Sequence, residues 1–276
     1  MTGRFRLGRS SEMLVACAAV ALYLFPLYWM FVSGFKTPTE IVANPPTLFP
    51  ATPTLDAFRY VILQENLLRY LWNSVAIALP VTLLTVVLGA TGGYALARLR
   101  SRLVGAALVL VLLLQVFPEA LLATPVFIIF KQLDLLDTLT AVVLATAARS
   151  VAFGLVILRP MFRQIPLELE EAAFVDGCTP WQSFTRIVLP TARIPLMVVG
   201  AITFAQAYGQ FVYPRTLLST QEVQPGTVGI YGFIGAEVAD WHRVMAFASI
   251  FVLPVLLLFL AMQSRIISGL TAGAIK

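Results

Sequence analysis

The chain has 276 residues, of which 59% are hydrophobic and 12% are charged. This composition excludes an ordinary soluble domain. The net charge of +5 does not indicate nucleic acid as a partner, because the basic residues cluster at the ends of apolar runs. The sequence therefore predicts an all-α, polytopic membrane protein whose immediate surroundings are membrane lipid.

Six apolar runs approach or exceed the roughly 20 residues needed to cross a hydrocarbon core. The predicted transmembrane helices cover residues 12–33, 70–96, 104–127, 138–159, 193–213 and 244–264. A loop over about residues 160–192 joins the fourth and fifth helices. We expect residues 1–276 to form a single transmembrane domain.

The Lys and Arg residues between the spans predict the orientation, since cytoplasmic loops carry the excess of positive charge. With the N-terminus inside, the cytoplasmic segments hold twelve Lys and Arg residues and the outer segments hold six. We therefore predict that both termini and the 160–192 loop are cytoplasmic.

The 160–192 loop has the local signals of a helix, a stop and a second helix. Pro166 fits a first helical turn, and acidic residues follow it at the positive end of the helix dipole. Gly177 can take the left-handed conformation that closes a helix, and Thr179 with Gln182 matches a capping box. One face of the first helix would carry mainly small residues that let another surface approach closely: Leu169, Ala172, Ala173 and Asp176.

The spacing of this loop resembles the EAA loop of bacterial ABC-importer permeases. The matching positions are Glu171, Ala172, Ala173, Gly177, Ile187, Leu189 and Pro190. In that family the loop forms a coupling helix that sits in a groove of the cytoplasmic ATPase. The resemblance implies ATPase-coupling roles for Glu171, Ala172, Ala173, Asp176, Gly177, Leu189 and Pro190. The alternative is an interfacial helix without a partner.

Other segments are similar to the MalG-type permeases of carbohydrate importers, notably residues 24–36 and 93–98. The resemblance implies the type I ABC importer permease fold in a bacterial inner membrane. It also implies a MalF-like sister permease, a MalK-like ATPase homodimer that binds ATP and Mg, and an extracytoplasmic solute-binding protein that docks on residues 34–69 and 214–243. No cofactor is expected in this chain. Glycerol phosphate and glycerophosphodiesters are alternative substrates for the same machinery.

Arg149 is predicted near the middle of the fourth span, where an unpaired charge costs about 2.5–3.5 kcal/mol. Glu119 lies at a similar depth in the third span, and we predict that the two residues pair. The pair either lines the substrate pathway or ties two helices together; alternatively, Arg149 reaches toward water.

Further candidates for the substrate pathway offer amide groups or aromatic faces to a sugar. They are Gln115, Tyr208, Gln210 and Tyr213. The alternative for the aromatic residues is packing or the usual interfacial belt. At 208–211 the chain reads Tyr-Gly-Gln-Phe, where many members of the MalG-type group carry Trp-Asn-Glu-Phe.

Two other classes of membrane protein are alternatives to the importer permease. A secondary transporter is expected to have paired broken helices and several intramembrane acids, and Glu119 is the sole acid predicted well inside a span. A membrane enzyme needs an acidic or His-rich cluster for acid–base or metal chemistry. The sequence has one His and neither metal-ligand spacing nor a phosphate-binding Gly-Lys-Ser/Thr loop. We therefore predict a transport subunit without catalytic or metal-binding residues.

Overall fold

The computed structural model describes residues 9–234 and 240–274. Both chain ends, which are predicted to be cytoplasmic, lie outside these ranges. The α-helices of the described chain are α1 (Arg9–Ser33), α2 (Pro38–Ile41), α3 (Asp56–Leu63), α4 (Leu67–Arg98), α5 (Arg102–Val116), α6 (Glu119–Gln132), α7 (Leu139–Gln164), α8 (Glu168–Val175), α9 (Pro180–Ser183), α10 (Leu189–Thr191), α11 (Arg193–Tyr208), α12 (Val212–Leu217), α13 (Gly226–Gly229), α14 (Trp241–Phe251) and α15 (Leu253–Ala274). One compact unit draws on the chain up to Leu67 and on Ile230–Val252. The other draws on Leu68–Gly229 and on the chain from Leu253 onward.

Four helical segments of the described chain are long and apolar enough to cross a membrane. They are Glu12–Ser33, Leu67–Arg98, Leu139–Gln164 and Trp241–Gln263. A fifth candidate is the pair Pro180–Thr191 and Arg193–Tyr208, whose two parts are bent by 75°. Every backbone N–H and C=O must be satisfied within the segment in lipid, and a continuous helix achieves this.

The third predicted span, 104–127, is not one helix. The chain there forms α5 and α6, separated by Phe117 and Pro118 in extended conformation. Pro118 lacks an N–H and disfavours helical geometry at the residue before it. The local effect of the proline therefore outweighs the apolar composition, and α5 and α6 have 15 and 14 residues.

The fifth predicted span, 193–213, also ends earlier than expected. Helix α11 stops at Tyr208, and its C-cap Gly209 donates its N–H to the carbonyl of Ala205 at 3.0 Å. The side-chain oxygen of Gln210 then accepts the N–H groups of Phe211 and Val212 at 2.9 and 3.1 Å. These bonds satisfy the amides of the N-cap residue Phe211 and of Val212, the first residue of α12, so Gln210 directs the chain into a new helix rather than extending α11.

The first unit is organised around Lys36, whose side chain is 1% exposed. Its ammonium donates to the carbonyl of Thr47 and lies 4.1 Å from the centre of the Trp29 ring. Glu40 accepts the hydroxyl of Thr47 and the N–H of Ala51, each at 2.8 Å. The proline-rich stretch that follows α1 is therefore irregular but fixed by polar contacts, with the side chain of Lys36 buried beneath it. Helix α14 packs on α1 and α3 within this unit.

In the second unit, α4 and α7 approach closely at a pair of glycines. A Cβ atom at Gly89 would lie 3.3 Å from backbone atoms of Gly154, and one at Gly154 would lie 3.2 Å from the carbonyl oxygen of Thr85. Small residues at such crossings let transmembrane helices pack backbone to backbone. Toward the C-terminal ends of α4 and α7, an apolar cluster joins both helices to the 160–192 loop and to α11. Its members are Ala90, Leu158, Phe162, Ile165, Phe184, Val188, Ala192 and Val199.

Candidate functional site

Helix α8 is the element that carries the Glu-Ala-Ala sequence. Three acidic residues occupy its first turn, where they complement the helix dipole. Pro166 lies outside the helix, contrary to the prediction of a first-turn position, because the carbonyl of Leu167 accepts the first helical N–H groups, those of Glu170 and Glu171. The helix nevertheless begins within two residues of the proline.

The end of α8 is fixed by Gly177, which has φ +85°. Its N–H donates to the carbonyl of Phe174 at 3.0 Å, and the N–H of Cys178 donates to that of Ala173 at 2.9 Å. These two bonds form a Schellman motif, in which the residue after the C-cap adopts the left-handed conformation. The predicted helix stop at Gly177 is confirmed.

The next helix, α9, begins with the predicted capping box. The N–H of Gln182 donates to the hydroxyl of Thr179 at 3.3 Å, and the N–H of Thr179 donates to the side-chain oxygen of Gln182 at 2.9 Å. Phe184 follows α9 and packs on Tyr94, with ring centres 4.7 Å apart. The stop in α8 and the start of α9 therefore join α8 to a segment that is anchored on α4.

The exposure of α8 corrects one predicted contact residue. Ala173 is buried, and so is Glu170 one turn before it, whereas Glu171, Ala172, Asp176 and Gly177 are exposed. Ala173 therefore faces the rest of the chain and is not available to a partner. The other three residues of the predicted face, Leu169, Ala172 and Asp176, are exposed. They belong to a larger exposed apolar and acidic surface, which we call the α8 surface: Leu169, Glu171, Ala172, Phe174, Val175, Asp176 and Trp181.

Glu170 is the residue of this helix that sequence reasoning missed. It is 3% exposed. Its carboxylate accepts Nε of Arg98 at 2.7 Å and the hydroxyl of Tyr94, and the terminal nitrogen of Arg98 lies 2.6 Å from Oε1. The guanidinium of Arg98 also donates to the carbonyl of Ile165 at 3.1 Å. These bonds tie α8 to the C-terminal end of α4.

Leu189 and Pro190, the last predicted coupling residues, lie at a change of helical geometry. Residues Phe184–Val188 form a π-helix, and the N–H of Leu189 donates to the carbonyl of Phe184. Pro190 has no N–H for the carbonyl four residues earlier, which accounts for the altered bonding. Leu189 packs against the apolar cluster, and Pro190 is exposed. The motif thus shapes the bend before α11.

A second set of predicted residues meets in a cavity of about 310 Å³, which we call the polar pocket. Nε of Arg149 lies 3.4 Å from the carboxylate of Glu119, so the predicted pairing is confirmed. The guanidinium also donates to the carbonyl of Phe117 at 3.0 Å, one of the residues between α5 and α6. The amide of Gln115 donates to the carbonyl of Arg149 at 2.8 Å.

Gln210 completes the network from the other side of the pocket. Its amide nitrogen donates to Glu119 at 3.3 Å. The other lining residues, not singled out in the sequence, are Thr146, Ser150, Phe153, Gln206 and Gly209. Tyr208 and Tyr213 do not line the pocket: both are 2% exposed and packed inside the chain. The predicted amide and charged residues therefore meet in one pocket. The two predicted tyrosines instead pack in the interior of the chain.

Long apolar helices and a short exposed helix anchored by a buried ion pair are typical of a polytopic membrane subunit. A polar pocket within its helices fits a transport protein. The chain belongs to the family of binding-protein-dependent transport system inner membrane components, whose profile matches residues 86–271. It is therefore a multi-pass inner-membrane permease component, and membership implies separate binding-protein and ATPase partners.

Curated relatives cover nearly the whole chain. It is 31% identical over 269 residues to the sulfoquinovosyl glycerol transport system permease protein SmoH of Agrobacterium fabrum, covering 98% of this chain and 94% of that protein. It is 33% identical over 263 residues to the trehalose transport system permease protein SugB of Mycobacterium tuberculosis, covering 93% and 94%. It is 30% identical over 275 residues to the lactose transport system permease protein LacG of Rhizobium radiobacter, covering 100% and 99%. The resemblance to MalG-type permeases is confirmed.

Solved structures give the same fold. A chain of a bacterial ABC transporter involved in the import of the acidic polysaccharide alginate superposes with a TM-score of 0.78 at 18% identity, covering 95% of this chain and 99% of that chain. A chain of the MetNI methionine ABC transporter gives a TM-score of 0.59 at 20% identity, covering 75% and 97%. The predicted type I ABC importer permease fold is confirmed.

Proposed function

We propose that this chain is one half of the pathway of a carbohydrate importer and transmits ATP-driven motion through α8. A MalF-like sister permease would complete the pathway, and a MalK-like ATPase homodimer would bind ATP and Mg. A solute-binding protein would dock on the described parts of residues 34–69 and 214–243. In this arrangement both termini and the 160–192 loop face the cytoplasm, and the chain has no ATPase site of its own.

The observation that carries the proposal is the α8 surface on an anchored helix. Val175 is 88% exposed and Trp181 is 65% exposed, and apolar side chains at such exposure mark a partner surface when they are contiguous. Glu171 adds a charge that a basic group of an ATPase can bind. Because the Arg98–Glu170 pair ties α8 to α4, displacement of the α8 surface would be passed to a membrane-spanning helix.

The polar pocket supports a carbohydrate as the substrate. Amide groups from Gln115 and Gln210, with the hydroxyls of the lining threonine and serine, match the many hydroxyl groups of a sugar. Arg149 is the one cationic residue among the lining residues, and it is already paired with Glu119. A phosphate group would lack a free cation there, which favours a sugar over glycerol phosphate or a glycerophosphodiester.

Co-purification and uptake test the proposal. The full-length chain, co-expressed with its transport partners, is expected to bring down a vanadate-sensitive ATPase whose activity rises with loaded binding protein. Thermal-shift screening of the binding protein against sugars and glycerophosphodiesters then identifies the ligand for uptake into proteoliposomes. Uptake driven by a proton or sodium gradient without ATP would contradict the importer, and stabilisation by glycerophosphodiesters alone would contradict the carbohydrate.

A further inference from the structure

A second cavity, of about 690 Å³, lies beside the start of α8, and the charged residues that line it are mainly basic. We call it the basic pocket. It lies among the ends of α4 and α7, the start of α5 and the residues that lead into α8. Four arginines line it, Arg98, Arg100, Arg159 and Arg163, and the one carboxylate in its wall is that of Glu168.

The arginines of the basic pocket are largely uncompensated. Arg98 is paired with Glu170, and Nε of Arg159 is held by the carbonyl of Leu96 at 3.1 Å. Among the described residues, Arg100, Arg159 and Arg163 form no ion pair with a carboxylate. A cavity with this excess of positive charge attracts an anion, and guanidinium groups bind phosphate oxygens in a bidentate manner.

The surroundings of the basic pocket indicate that the anion belongs to a lipid. Leu99, in its wall, is 60% exposed, and Leu103, at the start of α5, is 78% exposed. Both precede or begin an apolar helix, so they stand where acyl chains would meet the protein. Basic pockets between transmembrane helices on the cytoplasmic side bind anionic headgroups.

We propose that the basic pocket binds the phosphate of an anionic lipid from the cytoplasmic leaflet. The assignment rests on the proposed orientation of the chain and on no other part of the proposed function. Because Arg98 both lines the pocket and holds Glu170, a bound lipid would stabilise the junction between α4 and α8. Lipid composition would then affect how firmly α8 is held.

Native mass spectrometry of the full-length chain tests the site, with phosphatidylglycerol and phosphatidylcholine as probes. Phosphatidylglycerol is expected to be retained in preference to phosphatidylcholine. The double variant Arg100→Gln/Arg163→Gln should weaken its binding by roughly tenfold or more, since each basic residue near the surface contributes substantially to anionic lipid binding. The matched control is Arg102→Gln/Arg186→Gln, which removes two exposed arginines outside the pocket and should retain the preference.

Three outcomes would overturn the proposal. They are the absence of a preference in the unmodified chain, an equal loss in both double variants, and displacement of the lipid by millimolar glycerol 3-phosphate, which would assign the site to a soluble phosphate. The charge-retaining variant Arg100→Lys/Arg163→Lys, with a melting curve for each protein, separates loss of the site from loss of the fold. None of these readouts depends on transport, so they stand apart from the test of the carbohydrate importer.

Discussion

The terminal nitrogen of Arg98 lies 2.6 Å from the carboxylate of Glu170, and this contact joins the last residue of α4 to the first turn of α8. Both side chains are largely removed from solvent. A buried pair holds its partners in one geometry because breaking it leaves an uncompensated charge. The exposed half of α8 is therefore presented by a helix whose other half is fixed to the membrane-spanning part of the chain.

Removing Glu170 tests this link. Glu170→Ala removes the carboxylate that accepts Arg98 and Tyr94, leaving Arg98 only the carbonyl of Ile165. Loss of one partner of a buried pair costs about 3–5 kcal/mol. Arg98 keeps some access to solvent, so we expect the lower end of that range, read as a lower melting temperature of the detergent-solubilised protein. The control Glu168→Ala removes an exposed carboxylate of the same turn and should change stability by less than about 0.5 kcal/mol. Equal melting temperatures for the two variants would contradict the anchor.

Gly177 gives a graded test of the end of α8. Its φ of +85° costs an ordinary L-residue about 1–2 kcal/mol, whereas Asn tolerates the left-handed region. No atom lies within 4 Å of a Cβ placed there, so the cost of a substitution is conformational rather than steric. Uptake coupled to ATP hydrolysis is therefore expected to fall in the order Gly, Asn, Val.

Gly177→Pro should be the most damaging of the series, because proline fixes φ near −65° and removes the N–H that bonds to Phe174. Glu171→Arg acts on the exposed surface and should uncouple transport from hydrolysis while the complex still inserts. Normal uptake for both variants would exclude the docking role, and retained membrane insertion is the control that each requires.

The capping signals of the 160–192 loop could be predicted because they are local. Gly177, Thr179 and Gln182 act within a few residues of their own positions, and neighbouring elements do not alter that chemistry. The buried face of α8 could not be predicted in this way. Glu170 is covered by Tyr94 and Arg98, which lie more than 70 residues away in the chain, and helical periodicity does not specify which face a distant helix covers.

The same distinction explains the polar pocket. Arg149 and Glu119 were matched by their depth in the membrane, a quantity that helix rise sets, and they do pair. The break between α5 and α6 was missed because apolar composition was given more weight than Pro118. Tyr208 and Tyr213 were assigned to the pathway by residue type alone, and side-chain direction decides otherwise.

Exchanging the charges of Arg149 and Glu119 is expected to restore uptake only in part. Single variants Arg149→Glu and Glu119→Arg should each lower uptake, since each leaves like charges in the polar pocket. The double variant should recover only part of it, because Arg149 also donates to the carbonyl of Phe117 and a carboxylate at that position has nothing to donate. Glu119→Gln keeps the shape and tests the charge alone. Full recovery in the double variant would show that the bond to Phe117 is dispensable.

The hydrogen bonds of Asp137 predict a pH-dependent contact between the turn before α7 and residues 219–220. Its carboxylate accepts the N–H groups of Ser219 and Thr220, each at 2.9 Å, and the hydroxyl of Thr220. The hydroxyl of Thr220 and these N–H groups hold the pKa of Asp137 below its ordinary value of 3.8. Because the folded pKa is the lower one, the stabilisation is complete above the unfolded pKa and is lost as the pH falls through the folded pKa.

Hydrogen exchange at Ser219 and Thr220 measures this contact. Protection, corrected for the intrinsic exchange rate, should be constant near neutral pH and decrease below the ordinary pKa of the carboxyl group. Asn at position 137 tolerates the φ of +61°, but Asp137→Asn replaces a charged double acceptor with a neutral amide, so protection should be lower and independent of acid. Asp134→Asn is the matched control, since Asp134 also has a positive φ and belongs to the same turn. Acid-dependent protection that survives in Asp137→Asn and disappears in Asp134→Asn would contradict this prediction, because it would assign the contact to Asp134.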